Sequence, residues 1–364
     1  MFKARRVMLI NLKRISQLAV LAALAVLGSP RTAHGQEVAS GIFGYQNLSL
    51  LGNSDTIVAL PFARLPTSTV TVSSFSGNVI TVQGTPGWTA SQFIYAFGTQ
   101  SNTYYVRIES GALEGLSFAI TNNTTNTLSL NLNGGSLTGL AANNQISVVP
   151  HWTLGAVFGL GNGIVPSTST VIRNTEVLVP NTAGAGINLS SASTYYLYTN
   201  TGSIYWRKVG FSTTNNDDVL PQLNYLVIRQ KVATNNTFTS FGDVVLTKVN
   251  IPVTINTTNK QDNALALPRP IDVSLTDSGL LASGAFAPSA NTVTHKDELL
   301  VFDNTATNFN KSAASTYYYY NSQWRKVGNS NDYSTSNVFT SGAGFILRKA
   351  TTNVIPSWTN SPTY

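Results

Sequence analysis

Cysteine is absent from all 364 residues, so no disulfide braces the chain and no thiolate serves as nucleophile or metal ligand. A fold without such braces stands on burial alone, which segments of about 100 residues manage and very small ones seldom do. Histidine is almost absent too: beyond His34 there are only His151 and His295, too few for a histidine-rich metal centre. Charged residues make up only 10% of the chain, and no block of like charge follows the N-terminal region. The usual footprint of a nucleic-acid binder is therefore missing. Long apolar runs are limited to residues 18–27, too short for a permanent membrane anchor.

What is present begins with a leader. Lys3, Arg5, Arg6, Lys13 and Arg14 precede the apolar run, and Ala33-His34-Gly35 follows it with small residues where a signal peptidase requires them. Residues 1–35 thus read as a secretory signal peptide, with Met8 as an alternative start, and predict export to the periplasm, outer surface or extracellular space. Their removal takes six basic and no acidic residues, leaving 16 against 15, a net charge of +1. The sequence pI of about 9.5 therefore describes the leader, and no nucleic acid or anionic membrane is expected as a partner.

The mature chain carries one conspicuous repeat. Ser193-Thr194-Tyr195-Tyr196 running into Trp206-Arg207-Lys208-Val209-Gly210 recurs as Ser315-Thr316-Tyr317-Tyr318 running into Trp324-Arg325-Lys326-Val327-Gly328. Each copy reads as a β-hairpin, turning at Asn200-Thr201-Gly202-Ser203 in the first and at Asn321-Ser322 in the second. Alternation places Ile204, Trp206 and Lys208 on one face and Tyr205, Arg207 and Val209 on the other. Tyr195, Tyr196, Trp206, Arg207, Tyr317, Tyr318, Trp324 and Arg325 are then either core anchors with cations over tyrosine rings, the favoured reading, or an exposed platform for sugars or a partner chain.

Further matches suggest modules. Val149-Pro150-His151-Trp152-Thr153 is similar to Ile355-Pro356-Ser357-Trp358-Thr359, with Ile251-Pro252-Val253-Thr254 between them; Asp55 with Ala59-Leu60-Pro61 recurs as Asp262 with Ala266-Leu267-Pro268. Glu176 matches Glu298, and Val227-Ile228-Arg229 matches Ile346-Leu347-Arg348. These predict three related β modules, at 36–153, 154–256 and 257–364. In the first, short β-prone runs at 69–72, 79–83, 93–97, 103–108, 117–121, 127–132 and 145–149 alternate with Gly, Asn and Pro turns. The expected class is all-β, two or three sandwich or small-barrel modules of about 100 residues each.

The search for chemistry returns little. His295-Lys296-Asp297-Glu298 is the one local cluster of histidine and carboxylates, and it reads as a solvated strand entry. Thr276-Asp277-Ser278-Gly279 has no second aspartate motif to share a proton with, and Asp217-Asp218 lies in an Asn-rich loop. Glu109 and Glu114 flank a turn at Ser110-Gly111-Ala112, and a secreted polysaccharide hydrolase would need one of them, or Asp277, beside a second carboxylate in a cleft. No catalytic, metal or cofactor site is expected.

Several long stretches carry a resemblance: 55–64, Thr175-Glu176-Val177-Leu178-Val179-Pro180 through Tyr196, 206–210, Ala266-Leu267-Pro268-Arg269-Pro270 with Asp272-Val273-Ser274-Leu275, Asp297-Glu298-Leu299-Leu300-Val301-Phe302-Asp303, and the terminal Trp358-Thr359-Asn360-Ser361-Pro362-Thr363-Tyr364. Together they resemble an uncharacterised exported protein family occurring as multiple paralogues in verrucomicrobial bacteria. The resemblance implies an envelope or extracellular setting and brings no activity, cofactor or catalytic residue with it. The expectation is a non-enzymatic structural or cell-surface interaction protein, self-associating through strand edges or the hairpins. The alternatives are a carbohydrate-binding protein and the hydrolase, with envelope or extracellular polysaccharide as the partner in place of a second copy.

Overall fold

A computed structural model of the chain describes residues 41–354 and 356–364; the expected signal peptide and Ile355 lie outside them. Two strands open the described chain, β1 (Phe43–Leu50) and β2 (Ser54–Val58). Six more follow: β3 (Ser68–Ser76), β4 (Val79–Val82), β5 (Tyr104–Ile108), β6 (Ser117–Asn123), β7 (Thr127–Asn131) and β8 (Gln145–Pro150). These close into an antiparallel barrel in the order β3-β4-β7-β6-β5-β8. Every second residue points inward, so Val72, Ile80, Val82, Val106, Ile108, Leu128, Leu130, Ile146 and Val148 fill the interior, and closure leaves no strand edge.

The run at 93–97, expected as a strand, is instead a series of turns. Its amides bond locally, Ile94 N to Ser91 O and Ala96 N to Gln100 O, while Asn123 Oδ1 accepts from Phe93 N at 2.9 Å. Phe93 joins the barrel core with Trp88 packed edge-on at 5.3 Å, so its apolar character serves packing rather than a ladder.

After the barrel come a one-turn helix, α1 (Leu154–Phe158), and strands β9 (Thr175–Pro180), β10 (Ser191–Asn200), β11 (Ser203–Lys208), β12 (Leu226–Gln230) and β13 (Asn236–Asp243). β2 returns to join them, giving a five-stranded sheet β2-β12-β9-β10-β11, with β1 and β13 forming a separate ribbon. The rest of the chain repeats the plan: β14 (Val249–Pro252), β15 (Gln261–Ala266), β16 (Glu298–Val301), β17 (Ser315–Tyr320), β18 (Gln323–Lys326), β19 (Gly344–Lys349) and β20 (Ser357–Asn360) make a sheet β15-β19-β16-β17-β18 and a ribbon β14-β20. In both copies the ribbon covers one face of the sheet. Leu50 and Phe238 pack on Val58, Val177, Leu197, Trp206 and Ile228 in the first; Ile251 and Trp358 pack on Leu265, Leu299, Trp324, Phe345 and Leu347 in the second.

The fold is therefore all-β, but strand pairing crosses two of the module boundaries expected from sequence. β1 and β2, placed in 36–153, pair with β13 and β12 of 154–256, and β14, placed in 154–256, pairs with β20 of 257–364. Two copies account for the pairing, the first interrupted by the barrel between its second and third strands. The match between Trp152 and Trp358 has no counterpart in topology. Trp358 faces Ile251 across β14 and β20, the place held in the first copy by Phe238 facing Leu48, whereas Trp152 lies between barrel and helix.

The two copies meet reciprocally, as across a two-fold axis. Ala59 N donates to Gly342 O at 2.8 Å, and its equivalent Ala266 N donates to Leu223 O at 2.9 Å. Asp55 accepts both Nε and Nη2 of Arg229 at 2.8 Å, and also Asn310 N from the opposite copy at 2.7 Å. Asp262 repeats this with Arg348 Nε at 2.7 Å, Nη2 at 3.0 Å and Asn188 N at 2.8 Å. These hydrogen bonds to aspartate hold both arginines above their ordinary pKa. Asn188 and Asn310 sit at φ of 55° and 50°, a left-handed conformation that asparagine tolerates. Tyr225 and Gly344, equivalent in register, meet each other: a Cβ on Gly344 would fall 2.7 Å from Tyr225 Cγ. Only one of two equivalent positions on an axis can carry a large side chain.

Candidate functional site

The repeated hairpins turn on Thr201-Gly202 (φ 43° and 85°) and Asn321-Ser322 (φ 49° and 60°), the left-handed pairs that match strand twist in two-residue loops. Trp206 is 0% and Trp324 1% exposed, and Tyr195, Tyr196, Tyr317 and Tyr318 are buried as well. Trp206 packs on Phe158 at 5.4 Å and donates from Nε1 to Gly159 O at 3.1 Å, while Trp324 packs on Phe286 at 4.7 Å. Tyr195, Trp206, Tyr317 and Trp324 sit in the two cores, in keeping with the favoured anchor reading, while Tyr196 and Tyr318 are buried on the opposite face under Arg173 and His295, so none of the six rings offers an exposed face to a sugar. Burial and the acceptor Asp218 Oδ2, 2.9 Å away, push the Tyr195 hydroxyl up to about 12. Asp218 is thereby a hydrogen-bond partner within its Asn-rich loop.

Arg207 and Arg325 lie on the opposite face, over Tyr198 at 5.0 Å and Tyr320 at 5.5 Å. Beside Arg207, Arg173 covers Tyr196 at 5.6 Å and pairs with Glu176, which also holds Lys231 at 2.8 Å. In the second copy His295 takes the place of Arg173. Its ring stacks on Tyr318 at 4.0 Å, and its Nδ1 lies 3.2 Å from Glu298, which Lys260 also approaches at 3.2 Å. The histidine cluster noted in sequence is thus one version of a repeated arrangement in which Arg173 or His295 lies on a tyrosine and contacts a glutamate.

The carboxylates weighed for hydrolysis are engaged elsewhere. Glu109 accepts from Arg107 Nε at 2.7 Å and Thr247 Oγ1 at 2.9 Å, and Glu114 accepts from Lys248 N at 3.0 Å. Both latch the barrel turn to the segment entering β14. Asp277 accepts from Ser274 Oγ at 2.7 Å within its own turn. The buried Arg269 spends its guanidinium on Asn360 Oδ1 and the carbonyls of Val245, Thr247 and Asn360, a role in packing.

Where the barrel meets the rest, a cleft of about 340 Å³ is lined by Tyr105, Arg107, Phe118, His151, Gln222 and Pro252, among others. Burial pushes the Tyr105 hydroxyl up to about 12 and lowers His151, so both stay neutral near pH 7. Tyr105 donates to Gln222 Oε1 at 3.1 Å, and Thr103 Oγ1 lies 3.1 Å from His151 Nδ1. Such a floor suits hydrogen bonding to an uncharged group.

Strand edges differ sharply in their protection. Along β11 the outward groups are closed by side-chain and loop mimics: Trp206 N donates to Asn216 Oδ1, Lys208 N to Asn215 Oδ1, and Trp206 O accepts from Asn215 N. At β18, Trp324 O accepts from Tyr333 N. β13 is closed by Asn162 at Thr239 and by Ala63 at Asp243. Because Val244 N bonds Ile42 O while Asp243 bonds Ala63, the backbone groups of Phe43, Tyr45, Asn47 and Ser49 point away from β13. None of these groups has a backbone partner among the described residues. Phe43 is 55%, Tyr45 76% and Phe241 40% exposed beside this edge. Sequence reading passed over β1, although its charge-free, proline-free Phe-Gly-Tyr-Gln-Asn-Leu-Ser-Leu carries the signal of an unguarded strand.

No family model matches the chain, and no curated protein or solved structure matches it. Among the described residues no helix is long and apolar enough to cross a membrane.

Proposed function

We propose that the protein is an exported, non-enzymatic interaction protein that associates with further copies of itself through β1. The open edge of Phe43, Tyr45, Asn47 and Ser49 carries this reading, because the neighbouring edges at β11, β13 and β18 are closed. An antiparallel pairing of two β1 strands sets Tyr45 against Asn47 and Phe43 against Ser49. All four residues of each strand then direct their N–H and C=O groups at the partner, giving about eight new hydrogen bonds. The pairing is self-complementary, as a two-fold interface requires, and extends the two ribbons into one four-stranded sheet. Burial of Phe43 and Tyr45 supplies the apolar contribution.

The test is the mass of residues 36–364 by light scattering on a sizing column over a concentration series. A dimer for the wild type and a monomer for Asn47→Pro are expected; the Asn47 N–H faces away from β13, so proline there spares the intramolecular ladder. A wild-type monomer at every concentration, or a dimer untouched by Asn47→Pro, refutes the assignment.

A further inference from the structure

A groove of about 460 Å³ opens on the outer face of the first hairpin, lined by Thr170, Arg173, Tyr196, Arg207, Phe211 and Ser212, among others. Its electrostatics are lopsided in a mature chain that is otherwise nearly neutral. Arg173 and Lys231 share one carboxylate, Glu176, and no carboxylate lies within ion-pair distance of Arg207 among the described residues. Of the residues that line the groove Arg173 and Arg207 are cationic and none is anionic, and Lys208 Nζ lies 5.4 Å from the Phe211 ring.

The two guanidinium groups are also pre-set. Arg207 lies over Tyr198, its Cζ 5.0 Å from the ring centroid, with its Nε buried and without a partner, and its Nη2 donates to Phe211 O at 2.9 Å. Arg173 is held over Tyr196 by Glu176 and by Thr170 O, which accepts from its Nη1 at 2.8 Å. Arg207 Nη1 and Arg173 Nη2 make no hydrogen bond within the described residues. A guanidinium held over an aromatic ring with donors free presents a planar fork to an oxyanion at little entropic cost. Beside this fork stand the 56% exposed ring of Phe211 and the hydroxyls of Thr170 and Ser212. An aromatic face next to hydroxyls is what a sugar ring uses for stacking and hydrogen bonding.

The second copy is the built-in comparison. There Arg173 is replaced by His295, stacked down on Tyr318, and Phe211 by Asn329. Arg325 spends Nη1 on Ser330 O and Nη2 on Gln323 Oε1. The aromatic wall is gone and both Nη groups of the arginine are engaged, although Arg325 Nε, like Arg207 Nε, has no partner; the hairpin itself is two residue pairs shorter. Both copies keep the buried tryptophan and the arginine on the outer face, while the residues around that arginine differ.

We infer that the groove at Arg173, Arg207 and Phe211 binds a sugar ring bearing an oxyanion, the repeating unit of an acidic polysaccharide, and that the second copy does not. This rests on different residues from β1 and stands or falls separately from self-association.

The test is calorimetric titration of residues 36–364 with hexagalacturonate, with its fully methyl-esterified form and with inorganic sulfate. Expected are binding of the acid form that weakens as sodium chloride is raised, and a loss of about tenfold or more for the ester. Arg207→Gln is expected to show a similar loss, with Arg325→Gln unchanged. Phe211→Ala, at an exposed position that no core packing depends on, provides the same reading should Arg207→Gln fail to fold. Equal affinity for acid and ester, unaltered binding by Phe211→Ala or a folded Arg207→Gln, or sulfate binding as tightly as the hexasaccharide would each overturn the proposal.

Discussion

Gly344→Ala is the sharpest probe of the reciprocal arrangement, because the added methyl has nowhere to go. The first atom it meets is Tyr225 Cβ, which is fixed to the backbone just ahead of β12 and cannot swing aside, with Cγ next at 2.7 Å. Relief therefore needs β19 and β12 to move apart, which also strains the bond from Ala59 to Gly342. Overpacking of this kind costs about 1–3 kcal/mol, and the rigidity of both partners puts this case at about 3 kcal/mol. Urea denaturation followed by tryptophan fluorescence measures it. In a Tyr225→Gly background, itself destabilised by the lost ring, the same Gly344→Ala step is expected to cost under about 1 kcal/mol, a coupling of about 2 kcal/mol. A cost below about 1 kcal/mol in the wild type, or strict additivity of the two substitutions, would refute direct contact between the equivalent positions.

Trp206→Ala should lose about 3–5 kcal/mol by the same assay, as a fully buried indole does, and a folded variant losing under about 1 kcal/mol would place the ring on the surface. Burial would raise the pKa of Glu176, but the hydrogen bonds and charges of Lys231 and Arg173 outweigh it and hold the carboxyl below its ordinary 4.5. Its depressed folded value means that its contribution is present above the unfolded pKa and is lost as pH falls below 4.5 through the folded one. Glu176→Gln should accordingly flatten the acid limb of melting temperature against pH, and an unchanged limb would count against the pairing.

Much of this architecture was legible because the repeat is carried by residues that cannot drift. Asp55 and Asp262 must each face an arginine, and Trp206 and Trp324 must each fill a core, so these positions matched across the copies. The barrel strands were legible from alternation and turn chemistry, except at 93–97, where Phe93 is apolar for packing and the backbone bonds itself locally. The division into three modules misled because the first copy is split: Asp55 lies before the barrel and its partner Arg229 after it. A segment that resembled the first module at its start and the second at its middle was one continuous copy matched to two separated pieces. The two surfaces proposed for interaction were hidden for another reason. An open edge is defined by what other segments do not cover, and a groove by the neighbour that fails to close it.

The reciprocal contacts also explain why an insertion the size of the barrel is tolerated at that point. β2 is held independently of the barrel: β12 pairs along it and the second copy takes the next backbone bond, at Ala59. The barrel then only has to return the chain, which it does through Arg64 Nη1 donating to Asn102 Oδ1 at 2.5 Å and to His151 O at 3.1 Å, binding entry and exit together. Closing a long excursion costs little more than closing a short one, since the entropic penalty grows only with the logarithm of length. The far turn of the barrel is fastened by Glu109 and Glu114 to Thr247 and Lys248, at the junction of the two copies. The insert is thus anchored at both ends of its path to segments that the copies already hold in place, and the hairpins, the β1 edge and the groove at Arg207 remain clear of it.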